Sequence, residues 1–294
     1  MKKLRQWLFH WQQWKTPLLP MKRLNVRTKA FALTVILFSL IVTIYGVGIL
    51  IPQKAVATDF AHAKQPPSWQ HLFGTDNLGR DILVRTLKGM SVSVTIGIVA
   101  SCISAVIGIL IGIAAAVGSR FWDSVINWLI DLIMGIPHTV FIILISFALG
   151  RGLKGLLAGI AATHWASLAR LIRGEVLQLR NQHYITVSRR LGKSGSWILI
   201  HHMLPHLVPQ FLVGLILMFP HAILHEASIS FLGYGLPPEQ PAVGIILAES
   251  MTYLSAGMWW MAVFPGLVLV LIVWLIDQLG ENLRRVIDPF HAQE

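Results

Sequence analysis

His221, His225 and Glu226 lie together in one long apolar run, where polar side chains are out of place. On a helix, residues four apart share a face, so His221 and His225 stand side by side. Ionisable groups in hydrocarbon are expensive and ordinarily face a bundle interior or a water-filled path. The three residues are therefore candidates for lining a translocation path, with interhelical hydrogen bonding as the other reading. The two imidazoles could meet a transition metal in passing. Two histidines on one helix do not by themselves make a tight metal site. His138 and His164, in other apolar runs, are candidates of the same kind, and Asp277 reads as a structural partner for a basic group.

Other combinations carry no chemistry. Gly192-Lys193-Ser194 has the form of the end of a phosphate-binding loop, but Val187 stands where such a loop needs a glycine, and no strand precedes it. There is no G-x-S-x-G elbow, and His225-Glu226 lacks the second histidine of a zinc helix. The chain is expected to be no enzyme and to bind no cofactor, so any energy comes from a partner. Its single cysteine, Cys102, allows no disulfide within the chain and no cysteine metal site.

The elements that hold these residues are membrane helices. Of 294 residues, 55% are hydrophobic and 13% charged, about half the charge of a typical soluble domain, roughly 25%. The composition indicates an all-α integral membrane protein, and the apolar runs number six. The first, 31–51, is long enough to cross a bilayer. Ala55-Val56-Ala57 mimics a signal-peptide cleavage site, but the apolar run is too long and the basic segment before it far too long, so an uncleaved helix is expected. A polar segment 52–90 follows, in which Thr75 or Asp76 could cap a short helix. The second run, 91–117, contains Gly108 and Gly112, a pair that permits close helix contact. The third, 124–149, has Pro137 in its middle and should be kinked there. The fourth, 156–172, carries His164; the fifth is 207–232 and the sixth 260–276.

Net charge is +11, and its distribution is that of a membrane topology rather than of nucleic-acid binding. Eight basic residues in segment 1–30 precede the first run without an acid, and residues 207–283 contain no Lys or Arg. Both termini, including the tail 284–294, are then cytoplasmic, and the loop around 236–257 lies outside, with Trp259 and Trp260 as an interfacial anchor. The core, 91–283, is interrupted by a basic stretch at about 173–206. There Leu177, Tyr184, Val187 and Leu191 form an apolar stripe, Gly192 breaks the helix, a second short helix runs through Trp197, and Pro205 marks the next turn. A helix, a glycine and another helix make a compact knob that a soluble partner's groove could grip. An amphipathic helix resting on lipid headgroups is the other reading.

Gly192 followed at a distance by Leu204-Pro205 resembles the cytoplasmic loop of ABC importer permeases. Residues 74–81, GTDNLGRD, together with FLGYG at 231–235 and Asp288-Pro289, resemble the dipeptide, oligopeptide and nickel branch of that family, second permease type. Thr186, Val187 and Ser188 stand where many members have Glu-Ala-Ala. The resemblance implies a type I permease fold of six transmembrane helices in the bacterial or archaeal cytoplasmic membrane. It also implies a second homologous permease subunit, two cytoplasmic ATPase subunits holding ATP and magnesium, and an extracytoplasmic solute-binding protein. Tyr184, Thr186, Ser188, Gly192, Leu204 and Pro205 become the expected ATPase-coupling residues. Thr163-His164-Trp165-Ala166, followed by Ala169-Arg170, resembles the nickel-type members more than the peptide-type ones. Nickel or a metal chelate is accordingly the expected substrate, with di- and oligopeptides as the alternative.

Overall fold

The computed structural model describes residues 26–287. Much of the basic segment 1–30 and the Asp288-Pro289 pair lie outside them. Within them the chain runs as helix α1 (Val26–Leu50), two 3-10 turns (Gln53–Val56 and Phe60–His62), then α2 (Ile82–Val117), α3 (Arg120–Gly135), α4 (His138–Ala148) and α5 (Leu153–Arg180). It continues as α6 (His183–Arg190), α7 (Gly195–Ile198), a π turn (Leu199–Met203), α8 (Leu204–Phe231), α9 (Val243–Leu254) and α10 (Trp260–Ile287). Among the described residues five helices are long and apolar enough to cross a membrane, and a sixth span results if the bent pair α3 and α4 counts as one.

Packing of α2 on α5 forms the centre. A Cβ on Gly112 would stand 2.6 Å from the Ala169 carbonyl oxygen, and one on Gly108 3.0 Å from that of Trp165. The small residues expected to permit close contact do so here, letting two parallel helices touch along their backbones. Around this pair, buried Ile223 and Ala227 of α8 meet Leu269, Ile272 and Ile276 of α10, with Leu37 of α1 closing the cluster. Lys88 of α2 donates through Nζ to the Ile51 carbonyl, 2.9 Å, satisfying an acceptor left open where α1 ends.

The third apolar run is a break rather than a kink. α3 and α4 meet at 97°, because Pro137 has no N–H and its ring disfavours helical geometry at the residue before it. Ile136 is extended there (φ −89°, ψ 135°). α3 is held to α5 by ion pairs: Arg173 donates to both Asp123 oxygens at 2.6 and 2.8 Å, and Arg170 pairs with Asp131.

Other boundaries shift for physical reasons. α2 starts at Ile82, not Ser91, since Asp81 caps it by accepting from the Val84 N–H at 3.0 Å. Neither Thr75 nor Asp76 is that cap. Pro205 makes no turn. It lies in the first positions of α8, where a missing N–H costs nothing, and the helix runs through it. The segment 236–257 is not a plain loop, for it contains α9, whose Val243, Ile245 and Ile246 are buried against the bundle.

Candidate coupling knob and translocation path

Residues 181–203 form a compact projection where α2 and α5 end together; Arg180 of α5 donates there to the Ala116 carbonyl. Its first helix, α6, has two faces. Ile185 is fully buried, joining Ile198, Met203 and Leu207 with Ile172 and Val176 of α5. Three residues on, Ser188 is half-buried. Tyr184, Val187 and Leu191 stand on the other side, 39%, 49% and 74% exposed. The apolar stripe read from the sequence is thus the outer face of the knob, except that Leu177 belongs to α5 and is separated from it by the break at Asn181-Gln182. Gly192 takes φ +80°, the left-handed region natural to glycine at a helix end. Thr186, Gly192 and Pro205 are exposed and Leu204 is half-buried.

The second short helix is stacked. Lys193 Nζ lies 4.6 Å from the centre of the Trp197 ring, and the His201 ring stacks on its indole at 4.4 Å. Ser194 caps α7 by accepting from the Trp197 N–H.

At membrane depth the histidines form a group that spacing alone did not show. His138 at the start of α4, His164 of α5 and His225 of α8 meet, with ring centres 5.1 to 6.1 Å apart. His164 Nδ1 bonds the Ile160 carbonyl at 3.0 Å. A carbonyl only accepts, so that nitrogen carries the proton and Nε2 keeps its lone pair. His221, one turn from His225, is exposed. Glu226 turns the other way into the packed interior, 0% exposed, where Ser230 donates to Oε1 at 2.9 Å and itself accepts from the Leu236 N–H. Among the described residues no three His, Cys, Asp or Glu side chains converge to hold a metal ion. Asp277 is exposed and has no ionic partner among the described residues, contrary to the structural role expected of it.

The GTDNLGRD segment is bolted to α2 and α9 by four charges. Asp76, fully buried, accepts through Oδ2 from Arg80 Nε (2.6 Å) and Arg85 (2.7 Å), and through Oδ1 from the backbone N–H groups of Leu78 and Arg80. Glu249 of α9 accepts from the same two arginines at 3.0 and 2.8 Å. An open cleft of about 450 Å³ lies above them, lined by Asn77, Leu78, Arg80, Glu239, Glu249 and Tyr253 among others. Nearby, a hydrogen bond from His62 holds the exposed Asp59 carboxyl below its ordinary value.

Residues 108–290 match the family of binding-protein-dependent transport system inner membrane components. The chain belongs to this family. It is a permease subunit of an ABC importer, a multi-pass inner membrane protein whose ATP is hydrolysed by a separate subunit. Among similar proteins is a putative peptide transport system permease protein of Brucella suis, 36% identical over 94% of this chain and 93% of the other. Another is the dipeptide transport system permease protein DppC of Bacillus subtilis, 32% identical over 91% and 84%. The permease shares its fold with the inward-facing MetNI methionine ABC transporter, TM-score 0.57, 19% identity, covering 70% of this chain and 96% of that one. These relatives favour the peptide alternative over the nickel reading taken from the THWA motif.

Proposed function

We propose that this permease imports di- or oligopeptides, forming half of a path with a second, homologous permease subunit and receiving its cargo from an extracytoplasmic solute-binding protein. The uncovered apolar face of α6, carried on an anchored knob, supports this reading best. Tyr184, Val187 and Leu191 form a short row that fits a groove on a cytoplasmic ATPase, with Thr186, Ser188, Gly192, Leu204 and Pro205 shaping it. ATP-driven closure of the ATPases displaces the knob, and helices rooted in it rock between inward-open and outward-open states. Both chain termini then lie in the cytoplasm.

His221 and His225 line the path. Their neighbours His138 and His164 supply imidazole nitrogens that hydrogen-bond a passing peptide weakly, as transport requires. Glu226, held by Ser230, fixes the outer end of α8. The peptide reading rests on near full-length similarity to peptide permeases. Its test is uptake of a radiolabelled dipeptide beside radiolabelled nickel, in a strain lacking this subunit and in one with it restored. Restoration of dipeptide uptake alone is expected; restoration of nickel uptake alone would overturn the peptide assignment.

A further inference from the structure

Within the knob, α6 is joined to the π turn that leads into α8 by a contact that the docking role does not require. Ser188, on the inner face of α6, donates its hydroxyl proton to the Tyr184 carbonyl at 2.9 Å. The same oxygen lies 3.1 Å from His202 Nε2. Since the serine proton is already committed, the imidazole must be the donor, so His202 carries its proton on Nε2. The His202 ring also meets the edge of Tyr184, 5.7 Å between centres, and that of Trp197, 5.2 Å. One side chain, two residues before α8 begins, thus touches both α6 and α7.

The backbone is adapted to this contact. His202 lies within the π turn Leu199–Met203, a rare conformation that inserts an extra residue into a helix and concentrates at functional positions. Trp197 and His202, five apart, are in ring contact. Ile198 and Met203, also five apart, are both buried in one cluster with Ile185. In an uninterrupted α-helix residues five apart point about 140° from one another. The π turn brings both pairs onto one face, toward α6. It therefore aligns an apolar cluster, Ile185 with Ile198 and Met203, and a polar contact, Ser188 with His202, along the same seam.

We propose that His202 is a positioning residue that locks the coupling helix α6 to transmembrane helix α8, so that displacement of the knob becomes displacement of the helix bearing His221 and His225. The inference rests on the proposed coupling role of α6. Ile185 supplies attachment, but an apolar contact can slide, whereas the Ser188–His202 hydrogen bond fixes register and angle. Without it the ATPases would still grip the knob, and α8 would follow incompletely.

The test uses the whole importer, with both permeases and its ATPases, in proteoliposomes supplied with its binding protein and labelled dialanine. ATP hydrolysis and uptake are measured on the same preparation. In His202→Ala, dialanine moved per ATP should fall about fivefold, the scale of one lost hydrogen bond, while hydrolysis stays within about twofold. His202→Gln, whose amide can place a donor near the Nε2 position, should restore the ratio; His202→Asn, too short, should not. Ser188→Ala keeps the ring and deletes the acceptor, so its dialanine moved per ATP should fall to that of His202→Ala whatever its own rate of hydrolysis, and the double variant should lower that ratio no further. It also serves if His202→Ala fails to fold.

A second readout does not depend on transport. With Cys102→Ser, spin labels at Arg189→Cys and Val208→Cys, both exposed positions, report the distance between α6 and α8. The distribution should broaden in His202→Ala and narrow again in His202→Gln. If the distance and the ratio are unchanged in both His202→Ala and Ser188→Ala, or if Gln behaves as Ala, the lock does not exist. If the wild type hydrolyses ATP without importing any peptide, the substrate reading fails instead, and the distance measurement still judges the lock.

Discussion

Removing the Asp76 carboxylate tests the claim that the GTDNLGRD segment is rigidly fixed rather than merely folded over the bundle. Asp76→Ala takes four accepted hydrogen bonds from the network: two from Arg80 and Arg85, two from the N–H groups of Leu78 and Arg80. Deleting one partner of a buried ion pair costs about 3–5 kcal/mol. Arg80 and Arg85 keep Glu249, itself partly exposed, as a second partner, which places the expected loss at the lower end, about 3 kcal/mol. At about 1.4 kcal/mol per tenfold, opening of the segment becomes roughly a hundredfold more frequent. Hydrogen exchange of the permease in lipid nanodiscs reads this directly: amides over 74–82 should lose about two orders of magnitude of protection, while those in the centre of α5 stay unchanged. Asp59→Asn is the control. Its partner His62 is exposed, and the change should be less than about threefold. Equal effects from the two substitutions, or no effect from Asp76→Ala, would refute the argument that burial makes this network stiff.

Gly112→Leu should prevent the close approach of α2 to α5 and lower the yield of folded permease in detergent, measured as the monodisperse fraction on gel filtration, whereas Gly135→Leu, with open space around its Cβ position, should not. Gly192→Val forces a β-branched residue into φ +80°, at a cost of about 1–2 kcal/mol; membrane insertion should be normal on immunoblots of membrane fractions and uptake lost. In a Cys102→Ser background, Cys at His221 should react with a water-soluble thiol reagent and Cys at the buried Ile223 should not, and equal reactivity would contradict the path-facing assignment. Ile185→Ala should loosen the knob by about 2–5 kcal/mol, detected as faster protease cleavage between α6 and α8.

Long-range geometry is where sequence reasoning ran out. Apolar runs and the Lys and Arg distribution disclose membrane helices because runs of this length cross hydrocarbon as helices that satisfy their own backbone polar groups. The Gly108 and Gly112 pair was legible as far as its spacing permits a close contact; that the contact is made, and with α5, only the structure shows. Pro137 marked a disturbance but not its size. A bend of 97° depends on how α3, with Asp123 and Asp131 paired to arginines of α5, can leave the line of α4. Asp123, Asn127 and Asp131 recur at four-residue spacing and give α3 a polar edge which α4 lacks, a local sign that the two halves of the run are separate helices. His138, His164 and His225 meet only through topology, and Glu249 reaches Arg80 across 169 residues. No local period encodes either. The relatives, and not any contact of His164, are what favour peptide over the nickel reading of Thr163-His164-Trp165-Ala166.

α2 is 36 residues long, about 54 Å at 1.5 Å per residue. A hydrocarbon core is about 30 Å thick; even at a tilt of about 40° the helix would still rise about 41 Å along the bilayer normal. Part of α2 therefore stands clear of the hydrocarbon, like a mast stepped in the bundle. Asp81 and Arg85 at its outer tip carry the rigging to Asp76 and Glu249. A push against the outer surface is delivered to a stiff rod whose far end, through Gly112 and the Ala116 carbonyl, rests beside the root of the knob. The two faces of the membrane are joined by a single uninterrupted helix.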